Sequence, residues 1–270
     1  MAEKSGLSDF ARALAGIAWR AGEIVLAHYA AGPSNLGARK KADQSPVTAA
    51  DEDAEAFILA ELAKLAPDVP IIAEEEAAAG RIQKIGARFF LVDPLDGTKE
   101  FISRNGEFTV NIAEIVNGNP VRGVVYAPAK ERIFIGEIPG GAFEMATRPH
   151  ALPDFSQAKR ISARAAPKDG LVAVASRSHR DHLTDEYLMA YPVKEFITAG
   201  SSLKFCLVAA GEADIYPRHG RTMEWDVAAG HAVLAAAGGS VTTIDGRPFT
   251  YGKAEEKFAN PFFVARGSRG

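Results

Sequence analysis

Two aspartates, Asp93 and Asp96, follow directly on the apolar run RFFLV, in the segment DPLDGT. Pro94 fixes the backbone just after the first aspartate. The turn can therefore aim both carboxylates, together with the carbonyl of Leu95, at one point. Carboxylate and carbonyl oxygens are the ligands that magnesium prefers in proteins, so the segment predicts a magnesium site.

The two residues after this turn suit an anion. Gly97 lets the backbone approach a ligand closely. Thr98 begins a predicted helix, whose first N–H groups have no partner within the helix and attract negative charge. A magnesium ion bridged to a substrate phosphate would fit such a site. An Asx turn followed by an N-cap explains the same residues without a ligand, so the segment alone favours a functional site only modestly.

Three further acidic positions lie where a predicted core element starts or ends. Glu74 follows the apolar segment 69–73, Asp51 lies three residues after Thr48 in a predicted capping box, and Asp226 opens an alanine-rich helix. Taken singly, Glu74 and Asp51 are better explained as helix-start carboxylates that the helix dipole stabilises. Asp226 is explained equally well as an N-cap residue.

Taken together, the four acidic clusters predict more than each does alone. Proteins of the α/β class place ligands at the ends of their core elements. If the segments 69–73 and 88–92 form neighbouring strands, Glu74 joins Asp93 and Asp96 at one edge of a sheet. Converging carboxylates repel one another unless cations lie between them. Convergence would therefore imply metal, with two or more magnesium ions.

The first half of the chain is predicted to be an α+β unit. Apolar spacing predicts a helix from Ser8 to Tyr29, ended by Gly32 and Pro33, and a second helix from Thr48 to Leu65. The polar segment 35–46 between them is predicted to be a loop. Strands are predicted at 69–73, 88–92, 108–115, 121–127 and 132–138, with a hairpin at 108–127 and an end to the meander at 139–141.

The second half is predicted to alternate strands and helices. A polar, proline-containing stretch, 147–156, marks a boundary between an N-terminal half, 1–147, and a C-terminal half, 148–270. Helices are predicted from about Arg180, from Ser201 as the cap to Gly211, and from Glu224 with Gly238 as the residue after the C-cap. Predicted strands are 171–176, 193–199, 213–217, 240–244 and 261–265. The whole pattern predicts a layered α/β fold.

Composition excludes several classes of protein. The 270 residues include 31 basic and 34 acidic ones, for a net charge of −3, so neither a general nucleic-acid coat nor a polybasic membrane anchor is expected. The apolar runs are too short to span a bilayer, and no secretory signal is predicted. Cys206 is the single cysteine, so no internal disulfide can form. A cytoplasmic location is expected, with peripheral association with the inner membrane, and monomer against homodimer, left open.

The motifs VTAAD, EE, DPLDGT and WD, in this order and at these separations, resemble those of the inositol monophosphatase superfamily. Its members are lithium-sensitive, magnesium-dependent phosphomonoesterases, and the resemblance covers nearly the whole chain. The segments TKEF, SRSH, SSLKFC and YPR further resemble the bisphosphate nucleotidase branch. Inositol phosphatases usually carry a TNF-like continuation where this chain has TKEF. The resemblance implies a layered α-β-α-β-α sandwich of the inositol monophosphatase and fructose-1,6-bisphosphatase type.

The resemblance also implies a role for each matched residue. Two or three Mg²⁺ ions would be held by Glu74, Asp93, the carbonyl of Leu95, Asp96 and Asp226. Asp51 and Thr98 would orient and help deprotonate the attacking water, with Glu75 assisting nearby. The implied substrate contacts are the amides of Gly97 and Thr98, together with His179, Ser201, Lys204, Arg218 and Asp226.

Three residues near these motifs have either an undecided role or no predicted role in the site. The glutamate run has a third member, Glu76, so the ligand register there stays open. Arg221 could add a phosphate contact, but a solvated loop residue is the favoured interpretation. His231, inside the last long helix, is predicted to be a core histidine with a hydrogen-bond partner rather than a ligand.

The function implied by the resemblance is hydrolysis of the 3′-phosphate of adenosine 3′,5′-bisphosphate (PAP) to AMP and phosphate, by attack of a metal-activated water. It carries with it a role in PAP recycling during sulfur assimilation. The nearest alternative is an inositol or sugar phosphate phosphatase with the same metal centre. An alternative of another class is a non-catalytic nucleotide sensor, which would need a broken site. The expected partner is this small molecule, without nucleic acid or a membrane anchor.

Overall fold

A computed structural model of the chain describes residues 6–32, 39–40, 46–176 and 182–268. Two large sheets are built in these ranges, with helices between them and on both outer sides. The helices are α1 (Asp9–Ala31), α2 (Ala49–Leu65), α3 (Glu74–Ala78), α4 (Thr98–Ile102), α5 (His182–Leu188), α6 (Leu203–Ala209) and α7 (Glu224–Ala236).

Fourteen strands are described. A short pair, β1 (Arg39–Lys40) and β2 (Pro46–Val47), runs antiparallel. The next seven are β3 (Ile71–Ala73), β4 (Arg88–Asp96), β5 (Thr109–Val116), β6 (Asn119–Ala127), β7 (Arg132–Glu137), β8 (Gly141–Ala146) and β9 (Lys159–Ile161). The last five are β10 (Leu171–Ser176), β11 (Val193–Ala199), β12 (Ile215–Arg218), β13 (Ser240–Thr243) and β14 (Phe263–Arg266).

The larger sheet keeps the order of the chain, β3-β4-β5-β6-β7-β8-β9. Only β3 and β4 are parallel in it, with Ala73 beside Val92, so the residues that follow the two strands emerge side by side. The smaller sheet has the order β11-β10-β12-β14-β13. Its first three strands are parallel and its last two antiparallel to their neighbours.

Strand β4 shows why its sequence is a continuous apolar run. Phe90 and Val92 pack into the core under α1 and α2, whereas Phe89 and Leu91 point into the core on the other face of the sheet. A strand buried on both faces has no polar side, so the alternation of hydrophobic and polar residues disappears. Its carboxylates can therefore lie only at its end.

Helix α7 lies against the second face of the larger sheet. A Cβ at Gly123 of β6 would lie 2.4 Å from the carbonyl oxygen of Ala229, and a Cβ at Gly136 of β7 would lie 2.6 Å from the Cα of Val233. These glycines let the helix backbone touch the strands directly. Helices α6 and α7 also cover the inner face of the smaller sheet, and Leu188 of α5 packs on its outer face. The layers are thus α-β-α-β-α, which confirms the predicted fold class.

Most predicted elements are present, and three predictions were wrong. The meander does not end at residues 139–141, because Gly141, with φ of 112°, starts the further strand β8. Part of the predicted loop 35–46 forms the β1–β2 pair, and its remainder lies outside the described residues. Strand β9, beyond residue 147, joins the larger sheet, and the division into two halves stays a prediction.

The third error concerns the start of α6. The N-cap is Ser202 and not Ser201, which has a left-handed backbone with φ of 52°. The Ser201 hydroxyl lies 2.7 Å from both the Asp96 and Glu107 carbonyl oxygens and is therefore hydrogen bonded to residues distant in the sequence.

The predicted helix from about Arg180 begins at His182 in the described residues. No helix within the described ranges combines the length and apolar character needed to cross a membrane.

Candidate active site

A cavity of about 260 Å³ opens where the end of β4 meets β12 and the starts of α4, α6 and α7. Both sheets therefore contribute to it. Its lining includes predicted site residues from each half of the chain, namely Glu74, Asp93, Leu95, Asp96, Gly97, Thr98, Ser201, Lys204, Arg218 and Asp226. Elements that are more than 100 residues apart in the sequence thus bring the acidic clusters to one place.

The predicted turn lies within the last residues of β4, which extends to Asp96 with a shift of register to β5 between Asp93 and Asp96. Oδ1 of Asp93 accepts a hydrogen bond of 3.0 Å from the amide of Leu95, which closes an Asx turn over Pro94. Gly97 has φ of 92°, and a Cβ there would lie 2.2 Å from Oγ of Ser201. A side chain at this position is therefore excluded both by the backbone conformation and by the close approach. Thr98 follows as the first residue of α4.

The three glutamates of the run, Glu74, Glu75 and Glu76, differ in their positions relative to the cavity. Glu74 directly follows Ala73, the last residue of β3, and Asp93 directly follows Val92, which pairs with Ala73. The side chains of Glu74 and Asp93 are hydrogen bonded. Glu76 points elsewhere, since both of its oxygens pair with Arg81 at 2.6 and 2.7 Å. Glu75 is not among the residues that line the cavity. The structure thus places Glu74 at the cavity, as the register of the predicted metal ligand requires.

Asp226 enters the cavity from the other side. It is the third residue of α7, and its Oδ2 accepts a hydrogen bond of 2.8 Å from the amide of Met223, the N-cap residue. The alternative that Asp226 is itself the N-cap is therefore wrong by three positions. Helix α7 bridges the two sheets, so its first turn carries this carboxylate to the end of β4.

Asp51 and Thr98 are in contact, as predicted. The Thr98 hydroxyl lies 3.2 Å from Oδ1 of Asp51, and Oδ2 of Asp51 accepts bonds from the amide and hydroxyl of Thr48 at 2.8 and 2.6 Å. Asp51 is only 1% exposed. The predicted capping box thus fixes one carboxylate oxygen and leaves the other against Thr98.

The buried carboxylates raise one another's pKa. Burial raises the pKa of Asp93 well above its usual range, and Glu74, Asp96 and Asp226 raise it further. Burial, then Asp96 and Glu74, do the same for Asp226. The pKa of Asp96 is also raised by burial, although Lys204 and the Ser202 amide oppose the rise. These acids therefore ionise less readily than free carboxyl groups, and a bound cation would favour their ionised forms.

This charge and donor set fit magnesium. Carboxylate and carbonyl oxygens are its preferred ligands, and a divalent cation would relieve the repulsion between the acids. In the described part of the chain, no three histidine, cysteine or acidic side chains are already gathered as a coordination group. The carboxylates instead accept hydrogen bonds from Leu95, Ser202 and Met223.

The cationic side of the cavity carries the predicted substrate contacts. Lys204 is 5% exposed, its Nζ donates to the carbonyl of Ser201 at 2.6 Å and lies 5.3 Å from the ring centre of Tyr216. Burial lowers the pKa of Lys204 to about 8. Arg218 and Arg221 line the same cavity, and Arg221 is an exposed residue of the loop before α7, as predicted. His179 lies outside the described residues.

Two neutral residues that the sequence reading did not identify join the acids. Asn111 is fully buried in β5, and its Nδ2 lies 3.2 Å from Oδ2 of Asp96 and 3.0 Å from Oγ of Ser202. Ser202 donates its amide to the same Oδ2 at 2.6 Å and its hydroxyl to the carbonyl of Asp226 at 2.6 Å. A polar asparagine inside the apolar strand was the one available signal.

His231 behaves as predicted for a core residue. Its Nδ1 lies 2.9 Å from the hydroxyl of Tyr251, and the side chain is buried away from the cavity lining. Burial lowers the pKa of His231 to about 3, so the ring is neutral.

Sequence comparison places the chain in a family. The model of the inositol monophosphatase family matches residues 7–265, and the chain belongs to that family. Among curated proteins, it is similar to the 3′(2′),5′-bisphosphate nucleotidase CysQ of Escherichia coli K12, with 44% identity over 92% of this chain and 95% of that protein. It is 30% identical to CysQ of Haemophilus influenzae, over 85% of this chain and 83% of that protein.

Solved structures agree with this placement. CysQ from Bacteroides thetaiotaomicron superposes with a TM-score of 0.80 and 39% identity, covering 96% of this chain and 97% of that chain. An inositol monophosphatase from Thermotoga maritima gives a TM-score of 0.74 and 26% identity, over 94% of this chain and 90% of that chain. The relatives thus include both substrate branches that the sequence reading considered.

Proposed function

We propose that the chain is a magnesium-dependent 3′(2′),5′-bisphosphate nucleotidase that converts PAP to AMP and phosphate. Its similarity to the CysQ proteins over most of its length supports this activity. The observation that carries the proposal is the cavity itself, where buried carboxylates that raise one another's pKa face Lys204 and Arg218. Such an arrangement suits a metal-bound phosphate at one side and a second anion at the other. The activity would serve PAP recycling in sulfur assimilation.

The proposed metal ligands are the oxygens that surround the acidic side of the cavity. They belong to Glu74, Asp93, Leu95, Asp96 and Asp226, all of which line it. Magnesium bound there would lower the pKa of a water and neutralise charge on the leaving oxygen. The protein's own part is to hold these oxygens rigidly at the ends of β4 and β3 and at the start of α7.

Asp51 and Thr98 would handle the attacking water. The Thr98 hydroxyl can donate a hydrogen bond to Asp51 and accept one from the water. This would orient the water so that a lone pair of its oxygen faces the phosphorus. The water's proton would pass to the Thr98 hydroxyl as Thr98 passes its own proton to Asp51, whose other oxygen is held by Thr48. Glu75 would assist from outside the cavity lining.

The substrate would bind through two sets of donors. The amides of Gly97 and Thr98 would hold non-bridging oxygens of the reacting phosphate. Lys204 and Arg218 would bind the second phosphate, with Ser201 and His179 contacting the remainder of the nucleotide. Because burial lowers the pKa of Lys204 to about 8, a bound phosphate would also keep the ammonium charged.

Phosphate release from three substrates tests this proposal. We would compare PAP, myo-inositol 1-phosphate and fructose 1,6-bisphosphate, each with Mg²⁺ and with chelator. A strong, Mg²⁺-dependent preference for PAP is expected. Preference for an inositol or sugar phosphate would keep the metal chemistry but overturn the roles of Lys204 and Arg218. No release from any of them would favour the nucleotide sensor.

A further inference from the structure

Helix α3 begins without a cap of its own. Its N-cap residue is Ala73, which has no side chain that could accept a hydrogen bond from the first turn. The amides of Glu75 and Glu76 instead donate to Glu55 of α2, to Oε2 and Oε1 respectively, at 2.8 Å each. One carboxylate from another helix thus holds two successive amides.

Glu55 lies one helical turn after Asp51, so both side chains project from the same face of α2. Asp51 contacts Thr98 at the start of α4, and Glu55 contacts the start of α3. Each of these helix starts carries proposed site residues. A single rigid helix therefore fixes the position of the water-handling pair relative to Glu74, the first residue of α3.

The ionised carboxylate of Glu55 destabilises the fold. Glu55 is 3% exposed, and burial, followed by the nearby charges of Glu74 and Glu76, raises its pKa to about 7. A neutral side chain would avoid this repulsion. What only a carboxylate offers here is two acceptor oxygens with no N–H of their own, which matches the two amides.

The geometry points to Glu55 as a positioning residue for the metal site: its carboxylate fixes the first turn of α3 and thereby sets the divalent-cation affinity contributed by Glu74. This inference rests on the proposed metal-dependent function. Outer partners that orient metal ligands change metal affinity or activity by about 10- to 100-fold when they are altered. Glu55 acts here through backbone amides rather than through the ligand side chain.

The Glu55→Gln variant tests the inference, with Mn²⁺ as a spectroscopic probe of the site. Glutamine keeps the shape and one acceptor oxygen, but its NH₂ group would face the second amide N–H. We expect the Mn²⁺ dissociation constant, measured by electron paramagnetic resonance, to rise about 10-fold. The Mg²⁺ concentration for half-maximal phosphate release should rise similarly, while kcat at saturating Mg²⁺ changes less.

Two further variants separate geometry from charge and from general damage. Glu61→Gln removes the same charge from α2 at a residue that pairs with Lys64, and it should leave Mn²⁺ affinity unchanged. Glu55→Asp keeps the charge but is one methylene shorter, so its carboxylate does not reach both amides, and it should weaken Mn²⁺ binding as well.

Melting temperatures in chelator complete the test. Glu55→Gln should melt no lower than the unaltered protein, because the loss of one hydrogen bond is offset by the relief of burying a charge, together with the loss of repulsion from Glu74 and Glu76. Unchanged Mn²⁺ affinity and Mg²⁺ activation would overturn the inference, and so would a lowered melting temperature with unchanged affinity. If the unaltered protein binds Mn²⁺ yet releases no phosphate from PAP, the proposed substrate fails while the Mn²⁺ comparison still decides the role of Glu55.

Discussion

The molecule buries carboxylates in two regions and compensates them differently. On the face of the larger sheet covered by α1, Glu114 and Glu137 share Arg122, which lies 2.6 Å from each. Arg88 adds a second partner to Glu114 at 2.6 Å, and Ser8 donates to Glu137 through its amide and its hydroxyl. Every acid in this paired cluster has a cation from the chain.

At the end of β4, Asp93 is as deeply buried, but the charges around it are other acids, and Glu74, Asp96 and Asp226 are partly exposed. Asp93 is 2% exposed, close to the 1% and 4% of Glu114 and Glu137, yet its pKa is raised by burial and by three further carboxylates. Asp93 and the two glutamates are thus equally buried but oppositely paired, which distinguishes a network of ion pairs from the site where we propose that a cation binds. The comparison gives four tests, from the largest expected effect to the smallest.

The Asp93→Asn variant should separate activity from stability. It removes a proposed metal ligand, so the loss of phosphate release should exceed the effect of an outer partner and reach about 1,000-fold or more. It also removes one of the mutually repelling charges, so the metal-free protein should melt at the same or a higher temperature. Steady-state kinetics and melting in chelator would measure both. An active Asp93→Asn enzyme would refute the metal site.

The same type of change in the paired cluster should have the reverse effect. Glu114→Gln removes the negative charge between Arg88 and Arg122, and a hydrogen bond to a charged group contributes about 2 kcal/mol. Urea unfolding would measure this loss. Mg²⁺ activation should be unchanged in the folded variant. If Glu114→Gln instead stabilised the protein, the pairing of buried acids with arginines would not distinguish the two regions.

The pH dependence of stability should also differ between the two regions. The pKa of Glu137 is lowered, because hydrogen bonds from Ser8 and Arg122 outweigh the effect of burial, so its stabilisation is present at neutral pH and is lost as pH falls through the lowered pKa. The raised pKa values of Asp93 and Asp226 act in the opposite direction. Their neutral forms stabilise the fold at low pH, and this stability is lost as pH rises above about 4.

Melting with chelator and with saturating Mg²⁺ would isolate the site. The difference between the two melting temperatures should widen from pH 4.5 to 7.5, because Mg²⁺ offsets the repulsion that grows as the acids ionise. His231, whose pKa burial lowers to about 3, loses stability as pH falls in both conditions and so cancels. A difference that stayed constant with pH would contradict the raised pKa values of the site.

Much of the site could be predicted from the sequence because it depends on local rules. Residues that follow parallel neighbouring strands meet at one sheet edge, which places Glu74 beside Asp93. The capping box at Thr48 and Asp51 is a pattern of three residues' spacing, and it is present. The gathering of Asp226 with these acids required the fold, because α7 reaches the site from the other sheet.

The remaining features depend on contacts that no local pattern encodes. Ser201 and Ser202 are both good cap residues, and only the close approach to Gly97 shows that Ser201 takes the left-handed conformation. Glu55 shares its helix with several other acids, and only its contact with α3, 20 residues away, sets it apart. Asn111 and Ser202 meet across 91 residues of sequence.

The smallest expected effect concerns the neutral link between the two sides of the site. Ser202→Ala keeps the hydrogen bond from the backbone amide of residue 202 to Asp96. It removes the hydroxyl that donates to the carbonyl of Asp226 and accepts from Asn111. The loss of such a hydrogen bond costs about 1 kcal/mol. We expect urea unfolding to show that loss, with the Mg²⁺ concentration for half-maximal activity rising by less than 10-fold.

The matched control for this link is Thr147→Val, which removes a buried hydroxyl beside Tyr126, far along the larger sheet. It should lower stability by a comparable amount and leave Mg²⁺ activation unchanged, because its hydroxyl touches no carboxylate of the site. If both variants shifted Mg²⁺ activation equally, general loosening of the fold would explain the shift. If only Ser202→Ala did so, the hydroxyl couples the acids that approach from the two sheets, whereas in the paired cluster an arginine links the acids.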